Sequence, residues 1–447
     1  MITRLLGSTA LLSAVLFTTG SAHATAPQMS TPKLTISGQS SFNAWFFKND
    51  QKTNLVGKQD DTPEFTADSA KNVGYGKGYL FTQDDSRLKF EVSGKTDPGM
   101  EYGVTIVANG DTNQVNTIKE NFVWFNGTWG RLTLGDAEGV ERTMAFGGFD
   151  PLGGTGGFDG NFDRVVNFTT GTLHSVNLVG DSSRSTKATY QTPRWKGLMA
   201  GISYAPRTDH KGEGKINSLN NSKSPKEVWG SHVISAGLNF INKFNNGVEM
   251  SLSATALFDK ANAPTRNEGL VTANVYDSKT GAPIGSLPDL NPSFHNARAY
   301  AFGALFEFKG WELGAELGWN GKSHQLKKKG AKDSWFVDTG LGYTWGSTKL
   351  SAGYYYGQQK SFKMADTDST SRTKAKTHTY TAAIDHKVAP GVGVFFEYAH
   401  YNMKNKGANV DAAILSSFGK GSDTSSTTLG VNSGKSNAFV LGTKIKF

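Results

Sequence analysis

Residues 311–320 read WELGAELGWN, and every second side chain in this stretch is apolar. The odd positions carry Trp, Leu or Ala, whereas the even positions carry Glu, Gly or Asn. Residues 249–258 and residues 87–95 alternate in the same way. Successive side chains of a β-strand point to opposite faces, whereas a helix repeats about every 3.6 residues. The pattern therefore predicts strands with one apolar and one polar face.

The connections between such segments fall into two length classes that alternate along the chain. The tight turns are residues 97–99, 126–127, 193–197, 245–247, 309–310, 346–347 and 389–391, and the long polar loops are residues 48–82, 110–118, 136–184, 206–230, 259–295, 321–333, 358–376 and 402–436. Seven turns and eight loops join sixteen strands. This alternation places all turns at one end, as in outer-membrane barrels with short periplasmic turns and long external loops.

Large aromatic residues stand beside these tight turns. They are Trp129, Trp195, Phe244, Trp311 and Trp345. Aromatic rings at one end of successive hairpins are typical of a membrane interface, although a soluble β-protein also carries strand aromatics in its core. We therefore predict an all-β fold, a transmembrane antiparallel β-barrel of about 16 strands.

Composition excludes several other classes of protein. The chain has 447 residues with 53 glycines and no cysteine, so disulfides and thiolate chemistry are excluded. Its mean hydropathy of −0.41 is too low for several apolar helices of about 20 residues, which excludes a helical membrane protein. The net charge of +9 is compatible with binding to a nucleic acid or to a membrane surface and does not distinguish between them.

The N-terminus indicates export. Arg4 precedes a largely apolar run at residues 5–17, and Ala22 and Ala24 offer a small-residue cleavage site. Residues 1–24 are therefore predicted to be a signal peptide, which leaves residues 25–447 as a single barrel domain. Export argues against nucleic acid as a partner.

Several stretches resemble the general diffusion porins of Gram-negative outer membranes, which are trimers of sixteen-stranded barrels. They are SRLKF at residues 86–90, VWFNGTWGRLTLG at 123–135, YQTP at 190–193 and VLGTKIKF at 440–447. The resemblance implies an outer-membrane homotrimer in contact with lipid and lipopolysaccharide. It implies a water-filled channel for passive diffusion of small hydrophilic solutes and ions, with no enzymatic activity, cofactor or metal. Phe447 resembles the family's outer-membrane assembly signal, which the barrel assembly machinery reads.

The third long loop has the most unusual composition. It holds seven glycines between Gly147 and Gly160, four phenylalanines, and six acids against two bases within residues 136–164. In the resembled family this loop folds into the barrel and narrows it. The resemblance implies a constriction formed by Asp136, Glu138, Glu141, Arg142, Asp150, Asp159 and Asp163, facing a basic wall of Arg87, Lys89, Arg131 and Lys187. Opposed charges across a water-filled constriction orient dipolar solutes and set ion preference.

Two other interpretations of this loop stay open at the level of sequence. It is a solvated external loop, or its phenylalanines form an aromatic track that guides sugars. The family often carries Arg after the Leu-Gly pair at residues 134–135, whereas this chain has Asp136. An anion preference is therefore not carried over, and the acidic loop favours cations.

Odd or even position along each predicted strand places seven basic and eight acidic residues on the polar faces. This near balance does not decide whether the pore prefers cations or anions. The bases are Arg87, Lys89, Lys95, Arg131, Lys187, Lys349 and Lys387, and the acids are Glu91, Glu101, Glu249, Glu312, Glu316, Asp338, Asp385 and Glu397. The fourth, sixth, seventh and eighth loops carry 19 bases against 8 acids. This surplus places the positive charge at the external rim, where lipopolysaccharide phosphates are the natural counter-charge.

Other chemistry is poorly supported by the sequence. His378, His386 and His400 lack zinc-ligand spacing, and no Gly-x-Ser-x-Gly elbow is present. The pairs at residues 60–61 and 84–85 are the candidates for a loop Ca²⁺ site. A secreted all-β adhesin or glycosidase, or an outer-membrane barrel enzyme, remains the alternative to a channel.

Overall fold

The computed structural model describes most of the barrel and part of the loops. The described residues are 31–54, 76–96, 99–111, 118–166, 182–208, 229–262, 274–276, 283–286, 294–325, 327, 333–361, 373–404 and 430–447. The predicted signal peptide at residues 1–24 and the acidic pair at residues 60–61 lie outside them, as do large parts of the external loops.

Sixteen strands form one closed antiparallel barrel, and two more form a separate small sheet. The barrel strands are β1 (Lys33–Asn54), β2 (Lys77–Lys95), β3 (Glu101–Asn109), β4 (Ile118–Gly127), β5 (Gly130–Asp136), β6 (Thr186–Gln191), β7 (Leu198–Arg207), β8 (Trp229–Lys243), β9 (Glu249–Asn262), β12 (Arg298–Phe308), β13 (Trp311–Gly321), β14 (Ser334–Trp345), β15 (Thr348–Ser361), β16 (Thr373–Ala389), β17 (Val392–Lys404) and β18 (Gly430–Lys446), and the small sheet pairs β10 (Asn274–Tyr276) with β11 (Pro283–Ser286). Each barrel strand pairs with its neighbours in the chain, β9 pairs with β12, and β18 pairs with β1. The predicted fold class and the sixteen barrel strands are confirmed.

The alternation of short and long connections is also confirmed, although several strands are longer than predicted. Two residues join β12 to β13 and two join β14 to β15, whereas long loops join the opposite ends. β1 reaches Asn54 and β2 begins at Lys77, although residues 48–82 were predicted to be a loop. Main-chain pairing continues past the last apolar position, because polar residues above a membrane still form strand hydrogen bonds.

The apolar face of the strands points out of the barrel. Trp311, Leu313 and Leu317 are 50%, 49% and 52% exposed, whereas Glu316 is 6% exposed. A soluble protein buries its large apolar side chains, so this reversal indicates a barrel surrounded by lipid. Within the described residues, no helix has the length and apolar character needed to cross a membrane.

Aromatic side chains form a belt near each end of the barrel. All five aromatics predicted beside the tight turns are exposed, and Trp311 packs on Tyr343 with ring centroids 4.5 Å apart. Near the other end, the Tyr300 and Trp319 rings stack 5.7 Å apart. Two belts of this kind mark the two interfaces of a membrane.

The chain terminus closes the barrel. The Phe447 N–H donates to the Gly38 carbonyl at 3.0 Å, and the Gly38 N–H donates to the Phe447 carbonyl at 2.8 Å. These bonds extend the pairing of β18 with β1, so that the last strand has no open edge. The Phe447 ring is exposed on the surface.

Candidate functional site: the loop inside the barrel

The third long loop, residues 137–185 between β5 and β6, is called loop 3 below, and its described residues 137–166 run inside the barrel. Its one-turn helix α1 (Val140–Thr143) lies against the inner wall, where the Val140 N–H donates to Ser203 Oγ of β7 at 3.0 Å. The Phe146 N–H donates to Ser253 Oγ of β9 at 2.9 Å. Both serines lie on the polar side of their strands, so the loop follows the inner wall.

Three wall carboxylates then hold the glycine-rich part of the loop, and we call Asp338, Asp385 and Glu397 the carboxylate latch. They accept hydrogen bonds from the main-chain N–H groups of Gly148 at 2.7 Å, Gly154 at 2.8 Å, Thr155 at 2.7 Å and Gly157 at 2.8 Å. Glu397 also accepts from Thr155 Oγ1 at 2.8 Å. Each hydrogen bond of this kind contributes about 1 kcal/mol. The latch therefore fixes the loop to β14, β16 and β17.

Glycines of the wall let the loop approach closely. A Cβ atom built on Gly303 would lie 1.6 Å from the Phe146 carbonyl oxygen, and one built on Gly340 would lie 1.9 Å from the Gly148 carbonyl oxygen. The main chain of loop 3 thus occupies the space where side chains of β12 and β14 would otherwise stand. Part of the glycine surplus in the sequence serves this contact.

Two phenylalanines of the loop anchor it further along the wall. Phe158 is buried against Tyr355 of β15 with ring centroids 5.7 Å apart. Phe162 is buried between Trp45 and Tyr401, at centroid distances of 5.4 Å and 5.9 Å. These rings face the wall and not the lumen, so they form no open track for sugars. The interpretation as a solvated external loop is wrong for the described part of loop 3.

The loop also contacts the strands where the barrel closes. Arg164 Nε lies 3.1 Å from Asp84 Oδ1 of β2, and Asn49 Nδ2 of β1 donates to the Val165 carbonyl at 2.8 Å. The described segment therefore follows the inner wall from β7 around to β2. Asp84, part of a pair considered for Ca²⁺, is engaged by this arginine.

The predicted constriction acids near the base of loop 3 are engaged with the protein. Asp136 accepts from Thr186 Oγ1 at 2.5 Å, and Glu138 pairs with Arg184. Glu141 is buried and accepts from the main-chain N–H of Ser182 at 3.2 Å. The structure places these three carboxylates where they hold the base of the loop to β6 and to the returning chain.

The remaining predicted loop residues lie nearer the lumen. Arg142 pairs with Asp159 at 3.1 Å, and Asp163 pairs with Arg164 at 3.1 Å. Asp150 accepts from the Gly147 N–H at 2.7 Å. Burial raises the pKa of Asp150 to about 6, and the neighbouring carboxylates of Glu307 and Glu312 add to the effect.

The four predicted basic wall residues do not share one environment. Arg87 pairs with Asp85 at 3.2 Å and Lys89 with Glu91 at 2.6 Å, both on β2. The Arg131 guanidinium of β5 lies 4.7 Å from the centre of the Trp124 ring. These three side chains lie on the inner wall. Lys187 is buried.

The Lys187 ammonium donates to main-chain carbonyls at the base of loop 3. They belong to Ala137, Ser182 and Ser183. Capping of carbonyls by a buried ammonium fixes the loop base. Lys187 therefore has structural contacts that strand parity did not indicate.

Sequence reasoning placed the latch carboxylates on the polar face but gave them no role. Glu316 and Asp338 stand directly opposite each other on β13 and β14, a pairing of like charges that is unfavourable on its own. Two facing acids on neighbouring predicted strands indicate that at least one of them has a hydrogen-bond donor from elsewhere in the chain. The donor to Asp338 is the main-chain N–H of Gly148, 190 residues away in the chain, and the sequence did not indicate this partner.

The fold and this site define a transmembrane β-barrel with a loop docked inside its lumen. The sequence profile of a family described as Gram-negative porin matches residues 8–407. The chain therefore belongs to the Gram-negative porin family, an outer-membrane class, and the resemblance drawn from its motifs is confirmed.

One relative and two solved structures are also similar to this chain. A protein of Rickettsia typhi named only as uncharacterized is 24% identical over 392 residues, covering 79% of this chain and 82% of that protein. The anion-selective porin from Comamonas acidovorans is 12% identical with a TM-score of 0.52, covering 93% of this chain and 100% of that one. The trimer form of OmpT from Vibrio cholerae is 11% identical with a TM-score of 0.53, covering 94% and 100%. At these identities the solved structures show the fold alone.

Proposed function

We propose that this porin is a non-enzymatic, water-filled channel for passive diffusion of small hydrophilic solutes and ions, and that loop 3 is its constriction. The observation that carries the proposal is the docking of loop 3 along the inner wall from β7 to β2. A loop held there narrows the lumen, because its main chain and side chains fill space next to the wall.

Single-channel recording in planar bilayers tests the proposal. Deletion of residues 147–160 removes the segment that the carboxylate latch holds, so we expect larger conductance steps than in the wild type. Heat-dependent gel mobility confirms that the shortened protein still forms a barrel. A wild-type protein that never conducts would refute the channel, whereas an unchanged conductance after the deletion would refute the constriction.

The charges at this constriction favour weak ion selectivity. Asp159 and Asp163 are paired with Arg142 and Arg164, and Glu397 is fully buried below the loop. The acidic surplus of loop 3 therefore supplies little unpaired negative charge, which weakens the cation preference predicted from composition. We expect a permeability ratio of cations to anions near one, measured as the reversal potential in a salt gradient.

We also propose that the protein is a homotrimer, because the barrel wall is unusually low at the short strands β5 and β6. β5 has 7 residues and β6 has 6, fewer than the 9 to 11 or so that a tilted strand needs to cross a bilayer. Apolar side chains nearby, such as Leu198 and Ile202, are exposed. Other subunits would cover this low wall. Light scattering of the purified protein in detergent should give three chains per particle, and a stable monomer would contradict it.

Export and assembly complete the proposal. Cleavage after Ala24 would release the mature chain, and N-terminal sequencing of protein from the outer membrane should begin at Thr25. Phe447 would be read by the barrel assembly machinery, since its ring is exposed while its main chain closes the barrel.

A further inference from the structure

The first and last strands of the barrel, β1 and β18, pair with each other along a junction that we call the seam. Every other pair of neighbouring barrel strands is joined by a turn or a loop of the chain. The strands of the seam come from opposite ends of the sequence, and the entropy lost on bringing two chain segments together grows with the length between them. The seam also opens without stretching any connection. It is therefore the place where the barrel separates most easily.

Loop 3 contacts the strands on the β18 side of the seam. The ammonium of Lys444, on β18, donates to the main-chain carbonyl of Gly154. Glu397, on the neighbouring β17, accepts from the Gly157 N–H at 2.8 Å. In the strand register Lys444 stands directly opposite Ser41 of β1, so the contact with Gly154 lies at the seam itself.

The next residues of loop 3 contact the other side of the seam. Arg164 Nε lies 3.1 Å from Asp84 Oδ1 of β2, and Asn161 Nδ2 donates to Asp85 Oδ2 of β2 at 3.1 Å. Hydrogen bonds to a charged partner are stronger than those between neutral groups. One short segment, residues 154–164, thus reaches from β17 and β18 across to β2.

Phe162 packs against both sides of the seam at once. Its buried ring lies between Trp45 of β1 and Tyr401 of β17, at centroid distances of 5.4 Å and 5.9 Å. Trp45 stands directly opposite Val440 of β18, and all four side chains belong to one buried apolar cluster. Burial of apolar surface stabilises such a cluster in proportion to its area. Separation of β1 from β18 would therefore pull this cluster apart.

We propose that residues 154–164 of loop 3 form a strap that holds β17 and β18 to β1 and β2 and so keeps the barrel closed at the seam. The segment is bound on both sides, so the seam opens only when one set of contacts breaks. The strap therefore adds to the main-chain pairing of β1 with β18. This role concerns closure of the barrel and does not depend on whether loop 3 sets the conductance.

A removable lock on the seam provides the test. The chain has no cysteine, so a single disulfide is introduced with Ala44→Cys and Leu441→Cys, and this protein is called the parent. The two residues stand directly opposite each other on β1 and β18. Opposed residues of an antiparallel pair have Cα atoms about 4.5–5.5 Å apart, which suits a disulfide. The oxidised parent has a locked seam, and reductant unlocks it.

Phe162→Ala and Phe158→Ala are compared in the parent. Phe158 is the matched control, because it is a buried ring of the same loop that packs on Tyr355 of β15, away from the seam. The measurement is the rate at which the folded band converts to the unfolded band on gels after incubation in hot SDS. Loss of a buried phenylalanine ring weakens packing about a hundredfold or more.

Lost contacts speed unfolding when the wild-type protein breaks them before the barrier. In the reduced protein, Phe162→Ala should therefore unfold at least about tenfold faster than the parent, whereas Phe158→Ala should unfold at close to the parent's rate. With the disulfide formed, the seam cannot open first, and all three proteins should unfold at similar rates.

Two results would overturn the strap. The first is equal acceleration by Phe162→Ala and Phe158→Ala in the reduced protein, because ring burial anywhere in the loop would then explain the effect. The second is an acceleration by Phe162→Ala that persists undiminished when the disulfide is formed. If Phe162→Ala does not assemble, the double variant Lys444→Met and Arg164→Gln, which removes a polar contact on each side of the seam, takes its place under the same two criteria.

Discussion

Replacement of Gly303 by alanine should displace loop 3 from the wall of the barrel. A Cβ atom at this position would lie 1.6 Å from the Phe146 carbonyl oxygen, whereas ordinary van der Waals contacts begin at 3.4 Å. The loop main chain must therefore move about 1.8 Å toward the pore axis. The two atoms closest to this Cβ are the carbonyl oxygen and carbon of Phe146, which are main-chain atoms, so movement of a flexible side chain does not relieve the overlap.

That displacement breaks two nearby hydrogen bonds. The bond from the Phe146 N–H to Ser253 Oγ is 2.9 Å long, and the bond from the Gly148 N–H to Asp338 is 2.7 Å long. A bond of this kind contributes about 1 kcal/mol, or up to about 3 kcal/mol with a charged acceptor. Docking of the loop is thus weakened by about 2–4 kcal/mol, which raises the population of undocked loop by a factor of about 30 to 1,000.

The assay is single-channel recording in planar bilayers. We expect a lower mean conductance than in the wild type and frequent steps between levels, because the loop both enters the pore and loses its fixed position. The control is Gly393→Ala, an inward-facing glycine of β17 whose Cβ would make an ordinary contact of 3.5 Å with the His386 carbonyl. If the Gly303 variant conducts as steadily as the Gly393 variant, loop 3 is not held as the structure shows.

Two further substitutions in the site and one deletion at the last residue of the chain test other features of the protein. Glu397→Gln replaces one acceptor oxygen of the latch with an NH₂ donor that faces the loop N–H groups. Docking of loop 3 should therefore weaken by about 1–3 kcal/mol, and the noise of the single-channel current should rise. The control is Asp163→Asn, which changes an exposed carboxylate of the same loop. The pKa of Asp150 is raised to about 6 by burial, so its contribution to docking is complete below its ordinary pKa of 3.8 and is lost as the pH rises through about 6. Wild type and Asp150→Asn should therefore differ in noise across that pH window, and a constant difference from pH 4 to pH 8 would contradict the assignment. Removal of Phe447 should slow the appearance of heat-modifiable barrels in the outer membrane, measured by pulse labelling, whereas Phe447→Tyr should assemble at the wild-type rate.

The barrel could be predicted from the sequence because its two strongest signals are local. The alternation at residues 311–320 reports the two faces of β13, and the turn at residues 309–310 marks where β12 ends. The ends of β1 and β2 were missed because residues near Lys48 and Lys77 pair through the main chain without apolar alternation. The assignment of faces from odd and even positions also fails at bulges such as the register shift between Gln39 and Ser41. Beyond a bulge the inward-pointing positions change from odd to even or the reverse, and the apolar pattern does not show where this happens.

The roles of the loop 3 residues were harder to predict because they depend on contacts between distant parts of the chain. The glycine-rich composition indicated a loop that packs closely, and this is what Gly148 and Gly154 do. Whether a given acid faces solutes or holds the loop depends on which N–H group reaches it, and Glu397 receives its donors from 240 residues away. The count of acidic residues on the polar strand faces is therefore larger than the number of acids exposed to solutes in the pore, because some of those acids hold loop 3.

We therefore expect the negative charge that lines the pore to depend on whether loop 3 is docked. Asp338 and Glu397 would add negative charge to an empty barrel, but the docked loop covers them. Deletion of residues 147–160 should uncover these carboxylates and Asp385, so the reversal potential in a salt gradient should shift toward cations while the conductance rises. The same deletion combined with Asp338→Asn and Glu397→Gln should keep the larger conductance and lose most of the cation preference. A larger conductance without any shift in reversal potential would mean that the latch carboxylates do not face the pore once the loop is gone.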